Sequence, residues 1–335
     1  EVKEKSAYIF NTLKDCKGIK GVSGMGLMIG IETERPASDI IKECMAAGVL
    51  CLSAKTKVRL LPALNIPMDV LIMDMDWHKS GWTGWSWNTS RISDPIRLIN
   101  FMHQHGLRTA LNLHPSDGIG THEDAYKDLA RDLGDNSGQT IKWKVEDYTF
   151  MKNFFKDVIR PHEQEGVDFW WLDWQQALTV GKHGEEKNYT PAAGSENLGE
   201  TFWCNHTFFE DMQKNRPDRR PVIYHRWGGL GSHRYQVGFS GDVYIAWEAL
   251  AFMPWFTSTA SNICYGYWGH DIGGHMFHKE DEKVTNPELY LRWLQNAVFT
   301  PIFKTHCTKD SVIERRIWQF PNHMFDMRAA MHLRY

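Results

Sequence analysis

The chain has 335 residues, 42% hydrophobic and 13% aromatic, which is enough to bury a substantial core and excludes a disordered chain. A formal net charge of −3 gives no electrostatic footprint for nucleic acid. The sequence has no apolar run of about eighteen residues to predict a membrane span and no secretory leader, so the cytoplasm is the default compartment.

The first 66 residues differ in composition from the rest. They hold none of the fifteen tryptophans, which all lie at Trp77 or later, and they carry ten Lys/Arg against seven Asp/Glu. The patterns predict a strand over Gly18–Glu32, a helix from Ala37 to Gly48, and short strands at Val49–Cys51 and Val58–Pro62. We therefore expect a small α+β unit over residues 1–66.

This unit resembles the C-terminal small domain of class III aminotransferases, acetylornithine aminotransferase in particular, through Gly24–Gly30 and Val58–Leu64. The resemblance implies that Arg59 stands where that family binds a substrate carboxylate. It also implies that the pyridoxal-phosphate lysine lies upstream of this chain, so the small domain alone would form no Schiff base. Asn65–Val70 fits this unit and the next one, which indicates a recombination, frameshift or assembly joint; a natural bifunctional fusion is the weaker alternative.

Strands and helices alternate over residues 67–335. The patterns predict helices such as Pro95–His105 and Phe150–Glu165, and strands at Val70–Asp76, Arg108–His114, Asp168–Asp173, Val222–Arg226, Asn262–Trp268 and Val298–His306. Alternation of this kind predicts an α/β fold with a parallel sheet, and the segment supplies the roughly 250 residues of a (β/α)8 TIM barrel. Charged and aromatic residues follow the strands, where such barrels build their active sites.

Two carboxylates carry the chemical signal. An apolar, aromatic strand ends at Asp173, among tryptophans whose faces suit pyranose rings, and a partly desolvated carboxylate there can attack an anomeric carbon. Asp242 follows the strand that ends in His225–Trp227 and a glycine-rich loop. Glycosidases need two carboxyl groups, one as nucleophile or base and one as proton donor. A simple helix cap is the alternative for Asp173.

From about Ile66 onward the chain resembles the catalytic barrel of glycoside hydrolase family 31, the α-glucosidases and α-xylosidases. The matching segments follow the family's order: Asp69–His78, Trp170–Asp173, Ser240–Asp242, Gly269–Gly274 and Phe303–His306. The resemblance implies that Asp173 is the catalytic nucleophile and Asp242 the general acid/base. The family's β-domains that follow the barrel are expected to be missing, which makes the barrel C-terminally truncated.

The same resemblance implies a set of sugar-binding residues. Asp74 would bind distal hydroxyls in the −1 subsite, His306 would hydrogen-bond the sugar, and Arg226 would lie beside the acid/base. Asp76 either contacts the sugar or holds Asp74 or Arg226. The remaining predicted binding residues are Trp77, His114, Trp171, Trp268 and Asp271.

The predicted function is hydrolysis of a terminal α-linked sugar, most simply glucose, with retention through a covalent intermediate. The nucleophile must be ionised, which a nearby Arg226 would favour, and the acid must hold its proton. The expected partner is an oligosaccharide or α-glycoside, and the oligomeric state stays open. The alternatives are a transglycosylase, a non-catalytic carbohydrate-binding remnant and a pyridoxal-phosphate aminotransferase fragment.

Three further patterns in the sequence give weaker signals. His114–Gly118 with His122 and Glu123 has the residue types of a metal site, but family 31 hydrolases need no metal, so a pocket-lining loop is favoured and no metal or cofactor is expected. Trp82–Trp87 predicts a sugar platform, with a packed loop as the alternative. The six cysteines lack CxxC spacing and are predicted to be free thiols: Cys16, Cys44, Cys51, Cys204, Cys264 and Cys307.

Overall fold

The chain divides into two compact units, Glu1–Asn65 and Ile66–Tyr335, in a computed structural model. The structure describes residues 2–25, 28–46, 51–54, 57–60, 68–79, 81–175, 200–226, 231–277, 285–308, 315–320 and 322–334. Several sequence predictions therefore fall outside the described residues: most of the joint at residues 65–70, the strand start at residues 49–50, and part of the glycine-rich loop before Asp242.

The first unit is an α+β domain with a four-stranded antiparallel sheet in the order β1-β2-β4-β3. Its elements are α1 (Val2–Leu13), β1 (Ile19–Met25), β2 (Met28–Thr33), α2 (Ala37–Ala46), β3 (Cys51–Ala54) and β4 (Lys57–Leu60). The single strand predicted over Gly18–Glu32 is wrong, because this run folds into the β1–β2 hairpin. Ile29 and Ile31 on β2 and Ala37 at the start of α2 are buried at its centre.

The second unit contains a seven-stranded sheet in which all neighbouring strands are parallel and follow one another in chain order. The strands are β5 (Val70–Met73), β6 (Arg108–Leu113), β7 (Phe169–Leu172), β8 (Ile223–His225), β9 (Gly238–Phe239), β10 (Trp268–Ile272) and β11 (Ile302–Thr305). This order, with helices between the strands, confirms the α/β barrel class that the alternating pattern predicted.

Helices connect most of these strands. They are α3 (Pro95–Gln104), α4 (Tyr126–Leu133), α5 (Tyr148–Phe154), α6 (Arg160–Gln164), α7 (Glu200–Asn215), α8 (Trp247–Asn262), α9 (Pro287–Ala297) and α10 (Met324–His332); a π-helical turn over Phe155–Ile159 joins α5 to α6. Side-chain caps define where several begin. The Asp94 carboxylate accepts the N–H of Arg97 before α3, and the Asn286 amide oxygen caps α9 in the same way.

The sheet curls strongly. In a flat seven-stranded sheet the outer strands β5 and β11 would lie about 29 Å apart, six times the usual spacing. Instead, His306 Nε2 after β11 lies 3.6 Å from Asp74 Oδ2 after β5. Lys304 on β11 also reaches across the interior to the rings of Trp171 on β7 and Phe239 on β9, with Nζ 3.9 and 4.3 Å from their centroids. The two edges therefore meet at their carboxyl ends, as in a barrel.

Two strands differ from the sequence predictions. The strand predicted over Asn262–Trp268 is wrong, because these residues end α8 and turn, and β10 begins only at Trp268. Cys264, with φ of 64°, lies in the left-handed region that breaks an extended run. The sequence patterns also did not predict the short strand β9 at Gly238–Phe239.

The core of the second unit is rich in aromatic side chains. Trp170 of β7, Phe154 of α5 and Phe208 of α7 are fully buried together, between the sheet and its helices. Cys16, Cys44, Cys204 and Cys264 are free thiols, as predicted. Among the described residues, no helix is both long and apolar enough to span a bilayer.

Candidate active site

Asp173 lies directly after β7, at the carboxyl end of the sheet. Its backbone N–H donates to Leu113 O at 2.9 Å and so extends the parallel ladder by one residue. The residue is only 5% exposed. Trp174 then leaves the strand with φ of 43°, and its N–H donates to Asp173 Oδ1 at 2.9 Å. The carboxylate is thus held by the turn that immediately follows it.

Arg226 joins the two predicted catalytic carboxylates. Its Nε lies 3.3 Å from Asp173 Oδ1, and its Nη2 donates to Asp242 Oδ1. The guanidinium is buried directly after β8. Gly241 makes room for it, because a Cβ there would lie 2.5 Å from Arg226 Nε and the φ of 74° suits glycine. Asp173 and Asp242 therefore share one buried cation.

His114, directly after β6, also contacts Asp173. Its Nε2 lies 3.7 Å from Asp173 Oδ2, and its ring stacks on Trp82 with centroids 4.2 Å apart. Trp82 is 40% exposed and meets Trp174 edge-on. The other two tryptophans of the predicted platform are buried, with Trp85 donating to Gly118 O and Trp87 to Glu165 Oε2. The platform prediction therefore applies only to Trp82.

A second charged cluster surrounds Asp271 on β10. This carboxylate is fully buried, with Lys304 Nζ 3.0 Å from Oδ1 and His275 Nδ1 3.5 Å from Oδ2. Burial alone would raise the pKa of Asp271, but the charge of Lys304 and the contact with His275 outweigh it and hold the pKa well below its usual range. The carboxylate is thus ionised although no solvent reaches it.

His306 connects this cluster to the first strand through its contact with Asp74. Burial and the charge of Lys304 lower the pKa of His306 to about 4. The imidazole is therefore neutral near pH 7 and can both donate and accept a hydrogen bond. Its ring also lies parallel to that of His275, with centroids 5.1 Å apart. His275 Nε2 in turn lies 3.8 Å from Asp242 Oδ1, which links the two carboxylate clusters.

A cavity of about 1060 Å³ opens beside Asp242. Its polar side is formed by Asp242, Arg226 and Trp174, and Trp268 lines it while donating its indole N–H to Ser240 Oγ at 3.0 Å. The apolar part of the lining comes largely from α8, through Ala249, Phe252, Met253 and Phe256. Asp242 thus lies at the edge of a space large enough for a small-molecule substrate.

The structure brings most predicted site residues into one network but leaves two outside it. Asp76 is exposed and its carboxylate pairs with Arg91, 3.4 Å away, instead of with Asp74 or Arg226. Trp77 is 2% exposed, donates to Asn112 O and packs edge-on against Trp87 in the core. Both follow Asp74 in a short 3-10 turn, which aims their side chains away from it.

Sequence reasoning missed two members of the network. Lys304 lies in the Phe303–His306 segment but was not among the predicted binding residues. Its two-residue spacing from His306 could have indicated it, because this spacing puts both side chains on one side of β11. His275 follows the Gly269–Gly274 segment directly. In the sequence pattern with metal-site residue types, Glu123 accepts a hydrogen bond from Ser86 Oγ, and His122 Nε2 lies 3.2 Å from its carboxylate.

Comparison with known proteins gives one family match. The model described as "Glycosyl hydrolases family 31 TIM-barrel domain" matches residues 53–335. An α-xylosidase of Saccharolobus solfataricus is 25% identical over 281 residues, covering 77% of this chain and 35% of that protein. Alpha-glucosidase 2 of Bacillus thermoamyloliquefaciens is 23% identical over 269 residues, covering 72% of this chain and 32% of that protein. The chain thus spans about a third of these relatives.

Two further comparisons concern the fold and the first unit. A crystal structure of a family 31 α-xylosidase from Xanthomonas citri superposes with a TM-score of 0.64 at 18% identity, covering 79% of this chain and 32% of that one. An acetylornithine aminotransferase of Haemophilus ducreyi is 41% identical over 68 residues, which is 20% of this chain and 17% of that protein.

Proposed function

The chain belongs to glycosyl hydrolase family 31, and we propose that its barrel carries the catalytic centre of a retaining α-glycosidase acting on terminal α-linked sugars, with α-glucosides as the expected substrates. The observation that supports this most directly is the buried guanidinium of Arg226, which contacts both Asp173 and Asp242. A cation shared by two carboxylates holds them near each other, and retaining enzymes need their carboxyl groups roughly 5–5.5 Å apart.

In the proposed mechanism Asp173 is the nucleophile. Its oxygen attacks the anomeric carbon as the bond to the leaving oxygen breaks, and Asp242 gives its proton to that oxygen. Asp242 then takes a proton from water, whose oxygen attacks the same carbon and releases Asp173. The contacts of Asp173 with Arg226 and the Trp174 N–H stabilise the carboxylate that starts and ends this cycle.

Asp242 must give a proton to the leaving oxygen, whereas in this structure its Oδ1 accepts a hydrogen bond from Arg226 Nη2. We therefore propose that sugar entry shifts Arg226 from Asp242 towards Asp173. Asp242 is suited to this exchange, because its side chain is 30% exposed and lines the cavity.

The sugar-binding roles follow from the same network. Asp74 and His306, 3.6 Å apart where the first and last strands meet, would bind distal hydroxyls of the −1 sugar. Asp271 would support His306 from the buried side, because their side-chain polar atoms lie within 4.8 Å of each other. Trp82, stacked on His114 and partly exposed, offers an aromatic face to the sugar ring.

Transfer to a sugar acceptor is the second candidate. It is favoured by the apolar wall that α8 gives the cavity beyond Asp242, where a second sugar ring can pack against Phe252 or Phe256. A similar protein of Sporosarcina globispora, 24% identical over 306 residues, is named 1,6-alpha-glucosyltransferase. Product analysis with maltose, with and without added acceptor, separates hydrolysis from transfer.

The deciding experiment is a product screen with aryl α-glucosides, α-xylosides and α-galactosides on the chain and its Asp173→Ala variant. Turnover of the glucoside with retained anomeric configuration, lost in Asp173→Ala, supports the proposal. Preference for the xyloside would correct the substrate. Sugar binding without any turnover would instead identify a non-catalytic carbohydrate-binding remnant.

We also propose that the first unit is a fragment of a class III aminotransferase small domain joined at residues 65–70. The 68-residue likeness to acetylornithine aminotransferase supports this. Sequencing the source DNA across the joint tests it: one uninterrupted gene would favour a natural fusion, and two separate genes would mean that the joint is an artefact.

A further inference from the structure

Asp271, His275 and His306 bring three metal-ligating side chains together at the carboxyl ends of β10 and β11. Their candidate ligand atoms all lie within 4.8 Å of one another. We propose that these residues form a binding site for a divalent transition ion, and that Zn²⁺, which takes imidazole and carboxylate ligands, is the ion it fits best.

The distance between two of the ligand atoms supports this proposal. Asp271 Oδ2 and His275 Nδ1 are 3.5 Å apart, and within the described part of the chain both are buried without a hydrogen-bond partner. Ligands about 2.0–2.2 Å from a tetrahedral Zn²⁺ lie about 3.4 Å from each other. An ion can therefore bridge these atoms with almost no movement, and it would satisfy polar groups whose burial is otherwise costly.

The backbone holds this pair in place. Gly273 and Gly274 have φ values of 97° and 81° and turn the chain so that His275 comes back over Asp271. A Cβ on Gly274 would lie 2.5 Å from Tyr244 O, and the Gly274 N–H donates to Asp271 O at 2.8 Å. A turn fixed in this way orders two ligands before any ion arrives, which lowers the entropy cost of binding.

The surrounding charges also favour a cation. Among the described residues, the network around the site holds four carboxylates against three cations, so it carries an excess of negative charge: Asp74, Asp173, Asp242 and Asp271 against Arg226, Lys304 and Arg315. Lys304 contacts Oδ1 of Asp271 and leaves Oδ2 to the ion. Asp242 Oδ1 lies 3.8 Å from His275 Nε2, so a carboxylate faces the second ring nitrogen, as it does in many metal-ligating histidines.

Binding of the ion would occupy Asp271 and His306, which the proposed function uses to support the sugar. Zn²⁺ and the substrate would then compete for the same residues. This consequence rests on the proposed glycosidase activity, whereas the metal site itself does not.

Calorimetric titration of the full chain with Zn²⁺, after treatment with a chelator, tests the site without any activity measurement. We expect one site, weakened at least 30-fold in His275→Phe and in His275→Asn; the second variant keeps a polar side chain should phenylalanine disturb the fold. His122→Gln, which removes the exposed histidine beside Glu123, is the matched control and should bind Zn²⁺ as before. Co²⁺ should give a visible absorption band that His275→Phe abolishes.

The outcomes separate the two proposals. No Zn²⁺ binding, or binding that only His122→Gln removes, overturns the metal site, whatever the activity. Binding that depends on His275 in a chain without turnover leaves the metal site standing and overturns the proposed function. In an active chain, Zn²⁺ should raise KM and leave kcat unchanged; an unchanged KM would refute the competition.

Discussion

Two aspartates mark the two ends of β7, Asp168 before the strand and Asp173 after it. Their side chains are equally buried, both at 7% exposure. At the amino end, Asp168 Oδ2 accepts the Thr109 N–H at 2.9 Å and lies 2.7 Å from His103 Nε2. At the carboxyl end, Asp173 faces Arg226 and His114, which line a site. The same residue type on one strand thus supports the fold at one end and is placed for chemistry at the other.

The partners of the two aspartates account for the difference. Asp168 contacts the backbone of β6, α3 through His103, and two exposed arginines, Arg108 and Arg219. Arg216 adds hydrogen bonds to the carbonyl oxygens of Asp168 and Val167. All these contacts join structural elements to each other. The side-chain partners of Asp173, Arg226 and His114, directly follow the last residues of β8 and β6. These side chains therefore do not take part in the hydrogen bonding that holds the sheet together.

The largest expected effect is that of Asp173→Asn. Removing the nucleophile should lower kcat by about 10⁴-fold or more on every substrate, because no covalent intermediate forms. The unfolding free energy should fall by less than in Asp168→Asn, because Arg226 keeps Asp242 as a partner. Initial rates and thermal melts measure both, and azide should restore turnover with inverted product. A variant that keeps even a tenth of the activity would contradict the role of Asp173.

Asp242→Asn should have the next largest effect, and only on poor leaving groups. Because it removes the proton donor, turnover of a disaccharide should fall by about 10²–10⁴-fold, while formation of the glycosyl-enzyme from an α-glucosyl fluoride should fall by less than about tenfold. Rapid-quench measurements on both substrates check this. Equal losses on the two substrates would mean that Asp242 is not the acid.

Asp168→Asn, at the other end of β7, should lower stability and leave catalysis almost unchanged. Breaking this buried ion-pair network should cost about 3 kcal/mol of unfolding free energy, with kcat of the folded protein changed less than about twofold. Chemical denaturation and initial rates measure the two effects. Asp218→Asn, on the exposed loop nearby, is the control and should change stability by less than about 0.5 kcal/mol.

The difference in unfolding free energy between wild type and Asp168→Asn should also depend on pH. Burial pushes the pKa of Asp168 up, but the hydrogen bonds from Thr109 and His103 and the charge of Arg108 outweigh it, so the pKa lies below its ordinary value. A lowered pKa stabilises the fold above the unfolded value, about 3.9, and this contribution is lost as pH falls through the folded value. The gap between wild type and Asp168→Asn should therefore be full at pH 6 and shrink below about pH 4. A constant gap would show that the charge of Asp168 plays no part.

Trp82→Ala should have the smallest effect. Loss of one aromatic face should raise KM about tenfold and change kcat by less than about threefold, and Trp82→Phe should recover most of the affinity. Phe101→Ala on α3, an aromatic residue in the same unit that is 52% exposed against 40% for Trp82, is the control and should leave KM unchanged. A kcat effect larger than the KM effect would mean that Trp82 acts by positioning His114.

The sequence predicted the barrel class because buried parallel strands such as Phe169–Leu172 are short, apolar runs that end in polar residues. It failed where the chain does not follow that pattern. Gly238–Phe239 is too short to give a period, and the Asn262–Trp268 run looks extended although Cys264 turns it. Gly18–Glu32 reads as one strand because it contains no proline, asparagine or aspartate to signal a turn between its two halves.

The site was predictable to the extent that strand ends determine it. Asp74, Asp173 and Asp242 each follow a strand, so chain order was enough to place them at one edge. Trp77 and Asp76 were expected in the site because they follow Asp74 closely, but a 3-10 turn directs them elsewhere. The role of His275 depends on the two left-handed glycines before it, and their conformation is a property of the folded turn.

Trp174 sets a limit on how stable this barrel can become. A tryptophan at φ of 43° occupies a backbone region that costs roughly 1 kcal/mol and that glycine tolerates freely. Trp174→Gly would relieve this cost, but it would also remove the ring that lies 5.4 Å from the Arg226 guanidinium and 5.9 Å from Trp82. Heat tolerance and the alignment of the site are therefore opposed at this single residue, and a search for thermostable variants should find it substituted at the expense of activity.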